Sequence, residues 1–216
     1  MKRTAVLFLF MIIGLSGAGA AMAQEEILIN GSTTVLPVMQ MAGESFMAAN
    51  PGISLAISGG GSGNGIKALN EGLCDIAMSS RDIKSSEVEQ GKAKGVAPVR
   101  TAVAVDALIP VVHPDNPVRE LSLEQLRDIY SGTIRNWKEA GGSDETIVVI
   151  SRDTSSGTYE TWAEIVMAKV KVAPSALLQA STGAVAQAVA KNRKANGYLG
   201  FGYLNKNLKK LNVNGI

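Results

Sequence analysis

The residues best suited to chemistry lie in the segment Arg152-Asp153-Thr154-Ser155-Ser156-Gly157-Thr158, where a fixed positive charge precedes a Ser-Gly-Thr turn by four residues. Tyr159, Trp162 and Val166 follow at helical spacing, which predicts a helix that begins near Ser156. The first N–H groups of a helix have no partner within the helix and attract anions. The segment therefore predicts a local anion-binding site.

The same pattern occurs twice more along the chain. Gly31-Ser32-Thr33-Thr34 precedes an apolar run that predicts a helix over 35–49, and the glycine-rich loop 59–65, which contains Ser62, precedes a predicted helix over 63–72. Each loop alone is also what an ordinary helix N-cap looks like. Three such helix starts together with one arginine favour a cage for a small tetrahedral oxyanion.

Strands and helices alternate in the first half of the chain, which predicts a parallel sheet covered by helices. The predicted strands are Ile27–Asn30, Ile53–Ser58 and Asp75–Met78, and the predicted helices are 35–49, 63–72 and 85–94. In open α/β sheets, ligands bind at the carboxyl ends of the strands. Two of the three hydroxyl-rich loops follow strands of this series, and the third follows a predicted strand at 147–150.

The run Val96–Val112 is apolar and rich in β-branched residues, and it is too long for one ordinary strand. We expect it to cross between two α/β lobes, and we expect the strand over 197–203 to cross back. These crossings predict a discontinuous first lobe, 24–108 plus 201–216, and a second lobe, 109–200. Helices are predicted in the second lobe over 121–130, from Ser156 and from Thr182.

Residues 1–23 have the features of a cleaved secretory signal peptide, which predicts a periplasmic protein. Lys2 and Arg3 precede the apolar run Ala5–Leu15, and Ala21-Met22-Ala23 fits the small-x-small cleavage rule. Of the 21 Lys and Arg residues, two lie in this segment, which leaves 19 against 19 Asp and Glu. A formally neutral chain does not indicate a nucleic-acid-binding protein.

A single cysteine, Cys74, and a single histidine, His113, limit the possible chemistry. They allow no internal disulfide and no thiolate metal site, and we expect no metal and no cofactor. A phosphatase or esterase that used Ser62 or Ser156 as nucleophile would need His113 as its base. Because Asn64 interrupts both the G-x-S-x-G and the dinucleotide patterns, we expect no enzyme.

Four motifs, in order and in register, carry a resemblance to a known family. They are Gly31-Ser32-Thr33-Thr34-Val35-Leu36-Pro37, Gly61-Ser62-Gly63-Asn64-Gly65-Ile66, Asp75-Ile76-Ala77-Met78-Ser79-Ser80-Arg81 and Ser151–Thr158. From about Ile27 to Tyr203, the chain resembles the periplasmic phosphate-binding proteins of phosphate-specific ABC transporters. The resemblance implies an α/β, two-lobed type II periplasmic-binding-protein fold and delivery of inorganic phosphate to a membrane permease. We expect a monomer.

The resemblance also implies which residues contact the ligand. The matching positions are Thr33, Thr34, Ser62, Ser80, Arg152, Ser156, Gly157 and Thr158. Ser80 stands where some family members have an aspartate that accepts the proton of phosphate and repels sulfate, so sulfate and molybdate remain alternative ligands. Arg81 is either a second anion contact or an ion-pair partner.

A second departure from the family concerns length. Relatives continue with more sheet and helix after the return strand, so the chain looks truncated at its C-terminus and the first lobe looks incomplete. From this we expect the 216-residue chain to be unstable or to bind ligand weakly when alone.

Overall fold

The structure is a computed structural model that describes residues 25–216, so the expected signal peptide lies outside the described residues. The described chain is a mixed α/β structure. Its strands are β1 (Glu25–Gly31), β2 (Ile53–Gly59), β3 (Ile76–Met78), β4 (Leu108–Val112), β5 (Glu120–Leu121), β6 (Val148–Arg152), β7 (Leu177–Gln179), β8 (Ala195–Gly200), β9 (Lys209–Lys210) and β10 (Asn212–Val213). Its α-helices are α1 (Leu36–Ala49), α2 (Ser62–Asn70), α3 (Ser85–Ala93), α4 (Leu123–Ser131), α5 (Gly157–Ile165) and α6 (Thr182–Ala190).

The first lobe, which we define as residues 25–93, is the predicted series of alternating strands and helices. Its sheet has the order β2-β1-β3, and both strand pairs are parallel. Helix α2 packs on β1 and β3, while α1 packs on β2, where Gly43 lies against the side chains of Leu55 and Ile57. Parallel pairing brings the carboxyl ends of β1 and β2 to the same edge, and the first two hydroxyl-rich loops begin there.

The second lobe, which we define as residues 108–216, is built on a five-stranded sheet of order β7-β6-β8-β4-β9. Strand β6 runs parallel to β7 and β8, whereas β4 runs antiparallel to β8 and β9. Its core contains three aromatic rings in contact, and Trp162 stacks on Tyr198 with ring centroids 4.3 Å apart while Tyr130 tilts against both. This large apolar core supports β6, the strand that ends at Arg152.

The long strand predicted over Val96–Val112 is wrong for most of its length. Strand β4 comprises Leu108–Val112, and residues 96–107 have no regular secondary structure. Val99, Val103 and Val105 in this segment are largely exposed. β-Branched residues favour strands chiefly because they pack on neighbours in a sheet, and this segment has no strand beside it in the described residues. We call residues 94–107 the connecting segment.

The C-terminal part of the chain also departs from the prediction. Strand β8 ends at Gly200 and a 3-10 helix, Phe201–Tyr203, follows it, so no strand between residues 201 and 216 returns to the first lobe. Strand β9 instead pairs with β4, and β10 pairs with β5. Of residues 201–216, which the sequence assigned to the first lobe, the strands β9 and β10 thus pair within the second, while the Tyr203 hydroxyl donates to the Thr33 carbonyl of the first. Within residues 25–216 the chain passes between the two sheets once, rather than twice.

No helix between residues 25 and 216 has both the length and the apolar character that crossing a bilayer requires.

Candidate anion-binding site

The three hydroxyl-rich loops lie at the junction of the two lobes. Thr33 and Thr34 follow β1, and Ser62 is the first residue of α2. Ser156 caps α5 by accepting a hydrogen bond from the Tyr159 N–H at 3.2 Å. The helix starts at Ser62 and Ser156 were predicted from the sequence. Because these loops belong to separate lobes, their contacts depend on how the lobes close on each other.

Threonine hydroxyls form the first cluster across this junction. Thr34 Oγ1 of the first lobe lies 2.7 Å from Thr158 Oγ1 of the second. Both Thr33 Oγ1 and Thr34 Oγ1 lie 3.1 Å from Thr182 Oγ1, at the start of α6. Thr33, Thr158 and Thr182 are buried. The structure therefore brings three of the sequence-predicted residues into one hydrogen-bonded group.

Two serines and a glycine form a second cluster. Ser62 Oγ accepts a hydrogen bond from Ser80 N–H at 3.1 Å and lies 3.3 Å from Ser80 Oγ. Gly157 of the second lobe packs directly on them, since a Cβ atom at Gly157 would lie 2.8 Å from Ser80 Oγ and closer still to Ser62 Oγ. A side chain at position 157 has no space while the lobes are in contact.

The glycine-rich loop approaches the second lobe equally closely. Gly63 N–H donates to the Ser155 carbonyl at 2.9 Å. At Gly61, which has a φ of +97°, a Cβ would lie 2.8 Å from the Ser155 carbonyl oxygen. Both the positive φ and the close approach require glycine at position 61. The glycine-rich loop thus contacts the Ser155 segment of the second lobe through its backbone.

Arg152 is the charged group of this site, and its side chain is 2 % exposed. The guanidinium donates from Nε to Gln179 O at 2.9 Å, from Nη2 to Ala180 O at 3.2 Å and from Nη1 to Thr182 Oγ1 at 3.1 Å. Asp153 is an acidic neighbour that could hold the guanidinium, but its nearest carboxylate oxygen is 3.9 Å away. Three groups of one loop orient Arg152 instead.

The environment of Arg152 changes its pKa in two opposing ways. Burial lowers the pKa of the guanidinium, and the nearby Asp153 carboxylate partly opposes this effect. An arginine starts from so high a pKa that it stays protonated in proteins. Asp153 itself shapes the loop, because its Oδ1 accepts the Ser155 N–H at 2.9 Å. The site therefore holds one buried, permanent positive charge.

Tyr198 contacts the backbone of Arg152. It was not predicted from the sequence as a residue of the site. Its hydroxyl lies 3.1 Å from Ser151 Oγ and accepts the Arg152 N–H at 3.2 Å. Burial raises the pKa of Tyr198 to about 12, although the hydrogen bonds from Ser151 and Arg152 act in the opposite direction. The tyrosine lies in a glycine-flanked strand, and that pattern alone gave no sign of its role.

Arg81 forms ion pairs on both sides of the junction. It donates from Nη1 and Nη2 to the Glu87 carboxylate at 2.8 and 2.7 Å, and Nη1 also donates to Asp82 O at 2.9 Å. Its Nε lies 3.0 Å from Glu160 Oε1 of the second lobe, although the N–H does not point along this contact. Of the two roles considered for Arg81, this geometry favours the ion-pair partner.

Neither a metal site nor a serine–histidine pair is found in residues 25–216. The described residues contain no group of three or more potential metal ligands. His113 accepts the Asp115 N–H at its Nδ1, at 3.1 Å, and Cys74 is a buried free thiol. The groups gathered at the junction are hydroxyls, backbone N–H groups and the Arg152 guanidinium, with Arg81 held in ion pairs beside them.

Comparison with known proteins identifies the family to which the chain belongs. The family model described as a PBP superfamily domain matches residues 16–215. The phosphate-binding protein PstS of Borreliella burgdorferi is 30 % identical over 222 residues, a match that covers 99 % of this chain and 77 % of that protein. The chain belongs to the PstS family of this superfamily.

Other members of the PstS family show how much of their length this chain spans. It is 33 % identical to PstS of Bacillus subtilis over 202 residues, which are 93 % of this chain and 66 % of that protein. For PstS of Staphylococcus saprophyticus the identity is 31 %, and the match covers 65 % of that protein. The chain thus spans just under two thirds of the length of these two relatives.

Solved structures of phosphate transport proteins share the fold. A phosphate ABC transporter substrate-binding protein from Clostridium perfringens, crystallised with bound phosphate, superposes with a TM-score of 0.81 at 38 % identity, and the match covers 89 % of this chain and 77 % of that one. An ABC-type phosphate transport receptor from Vibrio cholerae has a TM-score of 0.66 at 34 % identity and covers 88 % and 77 %. The two-lobed α/β fold expected from the sequence is confirmed.

Proposed function

We propose that this PstS-family chain captures inorganic phosphate between its two lobes and delivers it to the membrane permease of an ABC transporter. The observation that carries the proposal is the buried, permanently charged Arg152 beside hydroxyls from both lobes. A guanidinium and short hydroxyl donors match the oxygens of a tetrahedral anion. The names of the C. perfringens and V. cholerae proteins give independent support.

The proposed ligand contacts come from both lobes. They are Thr33, Thr34, Ser62 and Ser80 of the first lobe and Arg152, Ser156, Gly157 and Thr158 of the second. The helix starts of α2 and α5 supply backbone N–H groups, which favour an anion without adding a full charge. Arg81 is left out of this set, because its Nη groups donate to Glu87 and to the Asp82 carbonyl and its Nε lies beside Glu160. Its proposed role is to hold the lobes together.

Within this proposal, Ser80 is the residue that matters most for selectivity among oxyanions. A hydroxyl can accept a hydrogen bond from the proton that phosphate keeps near neutral pH, but it carries no charge to repel sulfate. Calorimetric titrations with phosphate, arsenate and sulfate at several pH values test the choice. We expect phosphate and arsenate to bind and sulfate to bind more weakly. Tighter binding of sulfate or molybdate than of phosphate would favour the alternative oxyanion.

Replacement of Arg152 tests the site itself. We expect Arg152→Ala to weaken phosphate binding by about 2–4 kcal/mol, because a desolvated, charge-assisted contact is lost. Arg135 provides a matched control: its Nε donates to the Gly132 carbonyl at 2.7 Å and it is exposed in the second lobe, so Arg135→Ala should bind like the parent. Equal calorimetric affinities for the parent and Arg152→Ala would remove Arg152 from the site.

The remaining parts of the proposal concern where and how the chain acts. We propose an exported, monomeric protein that binds phosphate without turning over a substrate. Fractionation of cells that express the full chain should recover it from the periplasm, and gel filtration should give the mass of one chain. Hydrolysis of a phosphomonoester that disappears in Ser156→Ala would show an enzyme instead.

A further inference from the structure

Thr182 stands out among the described residues because its hydroxyl connects Arg152 to both threonines of the first lobe. Its Oγ1 lies 3.1 Å from Arg152 Nη1, 3.1 Å from Thr33 Oγ1 and 3.1 Å from Thr34 Oγ1. Its backbone N–H also donates to Thr33 Oγ1 at 3.1 Å. The residue is 1 % exposed. No other threonine here touches the arginine and the opposite lobe together.

The start of α6 does not need this hydroxyl for its own stability. Ser181 already caps the helix, because its Oγ accepts the Ala184 N–H at 3.1 Å. A buried threonine at the first position of a helix is usually satisfied by neighbours within its own element. Thr182 instead directs its side chain at residues distant in the sequence. Its contacts are therefore those of the junction between the lobes.

The donor and acceptor count shows what the hydroxyl does there. A threonine hydroxyl has one proton and two lone pairs, and a guanidinium can only donate. Arg152 therefore occupies one lone pair of Thr182 Oγ1. The single Thr182 proton goes to one of the two first-lobe threonines, and the other lone pair accepts from the second. The Arg152 hydrogen bond thus leaves the Thr182 hydroxyl one proton and one lone pair for its contacts with Thr33 and Thr34.

We propose that Thr182 is a positioning residue of the anion site, which aligns Thr33 and Thr34 with Arg152 when the lobes close. The proposal rests on the proposed function for the identity of the ligand. Of the three groups in the loop that hold Arg152, two are backbone carbonyls, of Gln179 and Ala180. Thr182 is the one whose contact is made by a side chain, and it can be changed without altering the backbone.

Isosteric substitution provides the test. Thr182→Val keeps the volume and removes the hydroxyl, which leaves Arg152 Nη1 and a first-lobe threonine without their partner. We expect phosphate to bind about 10- to 100-fold more weakly, as measured by calorimetry. Thr182→Ser restores the hydroxyl and should bind within about threefold of the parent. Thr133→Val is the matched control, since Thr133 is exposed and its hydroxyl contacts Ser131.

A double-mutant cycle separates positioning from a general loss of stability. If Thr182 acts through Thr34, Thr182→Val should weaken phosphate binding much less in a Thr34→Val background than in the parent. A purely structural residue would give additive effects. Parent-like binding by Thr182→Val, strict additivity with Thr34→Val, or failure of Thr182→Ser to restore binding would each overturn the proposal. If Thr182→Val does not fold, Thr182→Ala replaces it in the same comparison with Thr182→Ser.

A ligand-free measurement keeps this inference distinct from the proposed function. If the parent binds no phosphate, the proposed function fails, and amide hydrogen exchange then decides the role of Thr182. Thr182→Val should speed exchange in the segment 31–36 of the ligand-free protein by several-fold, and Thr133→Val should not. Unchanged exchange in that segment would overturn the positioning role, whatever the parent binds.

Discussion

Gly157 is the residue at which the contact between the lobes is tightest. Its Cα lies where any side chain would meet Ser62 and Ser80 of the first lobe, and the nearest serine atoms leave no room for a methyl group. Its φ is in the ordinary range, so the restriction comes from the opposite lobe and not from the backbone. This makes Gly157 a direct probe of lobe closure.

We expect Gly157→Ala to weaken phosphate binding by about 1–3 kcal/mol, because the added methyl group keeps the lobes apart. The free energy of unfolding of the second lobe should change little, since the clash occurs only across the junction. Gly202→Ala is a suitable control, because a Cβ at Gly202 meets no atom within 4 Å. Titration calorimetry measures the effect. Unchanged phosphate affinity in Gly157→Ala would contradict the close contact of Gly157 with Ser62 and Ser80 in the phosphate-bound protein.

Tyr198 leads to a prediction about alkaline pH. Its pKa is raised by burial from 10.0 to about 12, so the neutral phenol is favoured in the folded state. The resulting stability is fully present below pH 10 and is lost as pH rises towards 12. The loss amounts to roughly 2–3 kcal/mol in the free energy of unfolding.

Urea unfolding at pH 8 to 12 measures this loss. Tyr198→Phe should reduce the alkaline decline, while part of it should remain, because burial also raises the pKa of Tyr130 and of Tyr203. Tyr159→Phe, at a half-buried tyrosine of α5, serves as control. A decline as steep in Tyr198→Phe as in the parent would show that Tyr198 does not contribute.

At the scale of elements, α3 and α5 are joined by charges that belong to different lobes. Glu160 in the first turn of α5 pairs with Arg81 and with Lys84, the residue before α3. Arg81 is nearly buried, with 8 % of its side chain exposed, and Glu87 holds it within the first lobe. The Arg81–Glu87 contact raises the pKa of Arg81. Burial would raise the pKa of Glu87, but its hydrogen bonds from Arg81 and Lys84 lower it overall.

We expect Glu160→Gln to weaken phosphate binding by roughly threefold to tenfold at low ionic strength, because closure no longer completes the ion pair. The difference from the parent should shrink as salt is added, since Glu160 is partly exposed. Glu164→Gln, on the exposed side of α5, is the matched control. A salt-independent difference, or none, would show that this ion pair does not contribute to closure.

The elements also show where sequence reasoning succeeded. Apolar periodicity and glycine-rich turns were sufficient to predict β1 to β3 and α1 to α3, because these elements contact their sequence neighbours. The strand prediction failed for the segment 96–107, because β-branched residues indicate a strand without indicating the neighbouring strand with which it would pair. The pairing of β9 with β4 joins residues nearly one hundred positions apart, and no local pattern encodes it.

The structure places most of the predicted site residues close to one another. Thr33, Thr34, Ser62, Ser80, Arg152 and Thr158 lie in or beside the two hydroxyl clusters, and their role as ligand contacts stays a prediction. Thr182 was predicted as a helix start but not as a site residue, because its loop carries no charge. One of the two ion-pair partners of Arg81, Glu160, lies in the other lobe, so the sequence left two roles open for Arg81.

At the scale of the whole molecule, the two lobes are linked by the connecting segment and by contacts across the junction. The side chain of Arg100 in this segment is 68 % exposed, and it pairs with the exposed carboxylate of Asp82 in the first lobe. Exposed backbone without regular structure is where proteases cut first. The connecting segment is thus the expected weak point of the folded chain.

Limited digestion with trypsin should cut first after Arg100, and the two fragments should elute together in gel filtration because the contacts across the junction remain. Arg100→Gln should slow this first cut several-fold, whereas Arg193→Gln, at an exposed arginine outside the segment, should not. Mass spectrometry identifies the products. A first cut within either lobe would contradict the assignment of the segment as the least protected part.

The single passage of the chain between the lobes has a practical consequence for engineering. Each half of the cage is encoded by one uninterrupted stretch, with the first-lobe threonines and serines before residue 94 and the arginine, with its supporting loop, after residue 107. Within residues 25–216, one half of the anion cage can therefore be exchanged as one cassette for the matching residues of a relative, joined at one position in the connecting segment. The oxyanion preference of such hybrids would show which half of the cage determines the oxyanion that is bound.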